Sequence, residues 1–195
     1  NNALSPKTLT VKDTKPLRVL YVPIIMRSDA FPLGDWSGFA AGSSSFIKAT
    51  FPIDESEFRE VKSINPILLG PGPLDAKEVE DLFRKLERMK WFSIFGIELS
   101  ERFDVVVGVV RPNWFNEMTT DDKGGVGLAY LGGYKSCIVE SEYVSGITTA
   151  HEVAHTYGWV TKGHYIESQT SPAHTSIWLK ANGLWVYPSR SEMRN

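Results

Sequence analysis

"TTAHEVAHTYGWVTKGHYIES", residues 148–168, carries His151, Glu152 and His155 in the spacing HExxH. A helix over about 146–157 puts His151 and His155 one turn apart on the same face. Two imidazoles so placed reach one ion at about 2.0–2.1 Å. Glu152 is rotated by about 100° from His151, so it addresses a water beside the ion rather than the ion itself. Such a water is acidified by zinc, and a neighbouring carboxylate takes its proton as it attacks. A catalytic zinc site wants three protein ligands, so two histidines leave one to be found. All four histidines of the chain, His151, His155, His164 and His174, fall in this late region, as expected of residues that serve one site. Gly158 ends the helix by taking the left-handed conformation, which turns the chain back across the histidines.

The rest of the chain supplies a frame for this helix. Residues 1–16 are polar and aperiodic and read as a tail or interdomain linker, leaving 17–195 as one domain. Two continuous apolar, β-branched runs, "LRVLYVPIIM" (17–26) and "FDVVVGVVRP" (103–112), read as strands buried on both faces. Between them, Asp35 caps a helix over 35–50 that Phe51-Pro52 ends, and "EFREVKSI" (57–64) alternates as a half-exposed strand. "NPILLGPGPL" reads as a loop, and Asp75 with Glu78 forms a capping box for a helix to about Phe92. Short strands near 126–131 and 135–140 meet at Gly132-Gly133, and Ser145 caps the histidine-bearing helix. Asn182-Gly183 marks a late hairpin. This order implies an α/β or α+β domain with a mixed sheet.

Composition narrows the partners. With 195 residues, 42% apolar and 23% charged, the chain has the make-up of an ordinary globular domain. A formal net charge of -2 argues against a nucleic-acid partner. No apolar run approaches the roughly 18 residues of a membrane span, and no signal peptide is visible. The sequence does not begin with Met and reads as a processed form or a piece of a larger polypeptide. The single cysteine, Cys137, excludes an internal disulfide and a multi-cysteine metal cage, and reads as a buried small hydrophobe.

His151, Glu152, His155 and Gly158 resemble the HExxHxxG core of the metzincin clan of zinc metalloproteases, and "GVGLAYLGGYKSCIVE" is similar to its substrate-binding edge strand and neighbour. The resemblance implies a metzincin-like fold, with an N-terminal subdomain over 17–158 and a smaller C-terminal one over 159–195. It also implies one catalytic Zn2+, a peptide or protein substrate, and an extracellular or cell-surface location. Gly127, Leu128, Ala129 and Tyr130 would then bind an extended substrate as an added strand. Met193 is the candidate for the methionine turn that the clan sets beneath its metal. The chain departs from the pattern at Thr161, where the third ligand should stand. A return loop longer by three residues delivers His164 instead, with His174 and Glu167 as the alternatives.

Three functions follow. In the first, the chain is a zinc endopeptidase with Glu152 as general base and Trp159, Tyr165, Trp178 or Trp185 lining its pockets. In the second, it is a non-catalytic surface or adhesion module whose zinc is structural and closed by a fourth protein ligand. In the third, a thermolysin-like or aminopeptidase site uses Glu167.

Overall fold

The computed structural model describes residues 16–27, 35–51, 53, 55–90, 103–120, 125–130, 134–141 and 145–157, and the strand backbones at 179–181 and 184–186. Two strands form its axis. β1 (Leu17–Met26) and β4 (Val105–Val110) are the two apolar runs, and they pair in parallel from Val19↔Val105 to Pro23↔Val109. Every residue of β4 is buried, as its unbroken β-branched sequence requires.

β2 (Phe58–Lys62) pairs in parallel with the first half of β1, and β3 (Ile67–Leu69) with its second half. On the other side β6 (Ser136–Glu140) runs parallel to β4, and β5 (Gly127–Ala129) closes the sheet antiparallel to β6. The resulting order, β2-β1-β4-β6-β5, makes a mixed sheet within a mixed α/β fold.

Strand parity divides the core. Leu20, Val22, Ile24, Val106, Val110 and Ile138 face α2 (Ala76–Met89) and α3 (Trp114–Met118). Val19, Tyr21, Val107, Val109, Cys137 and Val139 face α1 (Trp36–Thr50) and α4 (Ser145–Thr156). Both sheet faces are therefore covered, which is what lets the parallel strands be apolar throughout. No described helix is long and apolar enough to cross a membrane.

Local signals account for both ends of α1 and for the start of α2. Asp35 accepts a hydrogen bond from Gly38 N at 2.9 Å, and Phe51 leaves α1 in an extended conformation ahead of Pro52. Asp75 and Glu78 form the reciprocal capping box at 2.8 and 3.0 Å. β3 and α3 were not expected. β3 lies inside the Pro- and Gly-punctuated stretch read as a loop, where β1 supplies the pairing that three residues could not specify alone. α3 starts from Asn113 in a left-handed conformation (φ 62°), without a side-chain cap. Its lead-in is held instead by the buried Glu140 carboxylate, which accepts from Asn113 N at 2.8 Å and Phe115 N at 2.9 Å.

α4 begins with Ser145 already in the helix rather than as the residue before it. The late hairpin forms as expected: β7 (Leu179–Ala181) pairs antiparallel with β8 (Leu184–Val186), and Ala181↔Leu184 flank Asn182-Gly183. The remaining residues of the C-terminal subdomain reading, 159–195, lie outside the described residues.

Candidate active site

α4 is fixed on three sides before any of its chemistry is considered. Its small-residue approach lets it sit close on α1, since a Cβ at Gly146 would come within 2.8 Å of Phe46 Cβ. Ser43 and Thr149 share a buried hydroxyl–hydroxyl hydrogen bond of 2.9 Å across the same seam. Ala150, Val153 and Ala154 bury against the sheet. At the far end, Lys135, just ahead of β6, donates to Thr156 O and lies 4.7 Å from the centre of the Tyr157 ring. A cation there faces the carbonyl end of the helix dipole, which favours it.

Held in this way, α4 brings its two histidines together. The ring nitrogens His151 Nε2 and His155 Nε2 stand 2.9 Å apart, with the rings nearly perpendicular at 86°. Nitrogens bound to one zinc at about 2.0–2.1 Å stand about 3.3 Å apart at the tetrahedral angle. The observed spacing is that of a hydrogen bond between the two rings and is a few tenths of an ångström shorter, so a small side-chain rotation would let both nitrogens address one cation. His155 is buried (7% exposed) and His151 half-buried, so both belong to the protein wall rather than to open surface.

Glu152 points elsewhere, as its rotation on the helix requires. It is 7% exposed and lies against β5: a Cβ at Gly127 would come within 2.7 Å of Glu152 Cγ and 2.8 Å of Oε1. Burial pushes its carboxyl up to about 8. The same desolvation, with the charge of Glu152 nearby, raises the buried Cys137 thiol well above its ordinary value. Cys137 is thus the buried small residue that its strand context implied.

The four edge-strand residues divide by parity. Gly127 and Ala129 face α4, whereas Leu128 packs with the α2 side. Tyr130 sets its ring edge-on to Phe83 of α2, 4.7 Å between centroids, on the sheet face opposite α4, and is 36% exposed. No other described strand pairs with the outer edge of β5.

Among the described residues, no third His, Cys, Asp or Glu joins the histidine pair. His164, His174, Glu167, Thr161, Gly158 and Met193 lie outside the described residues, as do Trp159, Tyr165 and Trp178. What the motif alone did not reveal is how α4 is braced: the Gly127 clearance, the Lys135 cap and the Gly146 seam. The signals available were a glycine inside a strand pattern and the small residues at Gly42 and Gly146, which allow close packing.

No family model matches this chain, and no curated protein matches it significantly. Among solved structures, a chain from a structure described as "Structure of a chaperone-substrate complex" is similar at a TM-score of 0.44 and 14% identity. The match covers 78% of this chain and 25% of that one, so this chain spans about a quarter of its length.

Proposed function

We propose that the chain is a zinc-dependent endopeptidase with a metzincin-like catalytic domain. The observation that carries this reading is the convergence of His151 Nε2 and His155 Nε2 to 2.9 Å, with the Glu152 carboxyl buried beside the edge strand. His151 and His155 are two of the zinc ligands, and His164 is the third. When bound, zinc supplies the Lewis acidity that acidifies water and stabilises charge developing on a peptide carbonyl.

Glu152 is the general base. A carboxylate beside the metal takes a proton from the attacking water and returns it to the departing amine. No other described strand pairs with the outer edge of β5, and backbone hydrogen bonds along that edge would hold a peptide substrate extended. Antiparallel β5 at the rim of an otherwise parallel sheet, with α4 beneath it, supports the metzincin reading. An extracellular or cell-surface location belongs to the same proposal.

The test is zinc content and cleavage of a denatured protein substrate, measured on the same preparations. Glu152→Gln is expected to keep zinc and lose hydrolysis. Full hydrolysis by that variant sinks the proposal. His164→Ala is expected to lose zinc, while Glu167→Ala and His174→Ala retain it; loss of zinc in Glu167→Ala instead reassigns the site to the thermolysin-like arrangement.

A further inference from the structure

Glycine is a poor strand residue, because it packs nothing and loses more freedom on ordering than any other. Gly127 nevertheless sits in β5, in register with Val139 of β6. A methyl group there would stand 2.7 Å from Glu152 Cγ, 2.8 Å from Oε1 and 3.0 Å from Cδ. Such approaches lie well inside van der Waals contact, so something has to yield.

The backbone on either side has little room to do so. β5 is pinned by its pairing from Gly127↔Val139 to Ala129↔Cys137. α4 is pinned by the Ser43–Thr149 hydrogen bond and by Lys135 at Thr156 O. The Glu152 side chain is the part left to move. Ala129, on the same strand face one pleat along, carries its methyl into the core on the α4 side. The need for glycine is therefore local to Glu152 and not a property of the whole face.

We infer that Gly127 is a positioning residue: the side chain it lacks is the seat that holds the Glu152 carboxyl against the edge of β5. The inference rests on the peptidase reading and gives Gly127 a role other than substrate contact. A base displaced by about 1 Å can cost about 100-fold in rate.

The experiment pairs kinetics with a stability cycle. In zinc-loaded protein, Gly127→Ala is expected to keep its zinc and its KM for a quenched-fluorescence peptide while kcat falls by about 100-fold. Unchanged kcat overturns the inference. So does a raised KM with kcat intact, which would make Gly127 a substrate contact. Melting temperatures are then compared for Gly127→Ala alone and combined with Glu152→Ala. The clash predicts that the change in melting temperature on Gly127→Ala is less favourable in the wild-type background than once Glu152 is shortened. An equal change in both backgrounds overturns it. If Gly127→Ala does not fold, recovery of folding in the double variant supports the clash, and failure of both overturns it. Should the wild-type protein hold no zinc and cleave nothing, the peptidase reading fails, and the melting cycle still decides whether Gly127 seats Glu152.

Discussion

Replacing Glu152 by Gln in the metal-free protein measures what its burial costs. The fold moves this carboxyl from 4.5 to about 8. Between those values the folded chain keeps a proton that the unfolded chain has released. The contribution of Glu152 to stability is therefore fully present below about pH 4.5 and falls as pH rises, by about 1.4 kcal/mol per pH unit where the two states differ by one proton. Across the window the loss reaches about 5 kcal/mol at most, and local relaxation makes the realised value smaller. Against a typical total of about 5–15 kcal/mol that is a large effect. Gln keeps the shape and the hydrogen-bonding ends without titrating. Urea unfolding of chelator-treated wild type and Glu152→Gln should give similar stabilities near pH 5, within about 1 kcal/mol. Near pH 8 the variant should be more stable by about 2–4 kcal/mol. A constant difference across the window would refute the reasoning, because the carboxyl would then not be held in its neutral form by burial.

Zinc added at about 100 times its dissociation constant should stabilise the wild-type chain by about 2.7 kcal/mol, seen as a rise of about 5–10 °C in melting temperature. His155→Ala should abolish that rise. Cys137 should resist iodoacetamide in the native protein and react on unfolding in urea, since the buried thiol is kept from ionising. Glu140→Ala should cost about 3 kcal/mol in chemical denaturation, because the amides of Asn113 and Phe115 lose a charged acceptor. Lys135→Met should cost about 1 kcal/mol by removing the cation at the carbonyl end of α4.

How much of this was legible in the chain differs from element to element. β1 and β4 announce themselves because strands buried on both faces have no reason to alternate. α2 carries its own start signal in Asp75 and Glu78, and Val79, Leu82, Phe83 and Leu86, which share one face at helical spacing, are buried. β3 was illegible because its stability comes from β1, far away in sequence, and three residues between prolines hold too little pattern to declare a strand. α3 was missed for a related reason: its anchor is Glu140, a residue that no local rule connects to Asn113. At the site, HExxH implied the meeting of His151 and His155, because helical pitch alone brings them together. The burial of Glu152 was not readable from the motif, since it depends on β5 lying across the helix.

The hydroxyl pair Ser43–Thr149 joins residues 106 positions apart. That separation bears on the order in which the chain acquires its chemistry. Closing so long a loop is slow, and it is rewarded only when α1, the sheet and α4 are all in place. A short isolated helix is marginal in water, so α4 has little stability of its own before then. The histidine pair and the dry surroundings of Glu152 are therefore among the last features to form. On the peptidase reading, a nascent or partly folded chain would carry the HExxH letters without a working base, and metal capture would mark the docking of α4.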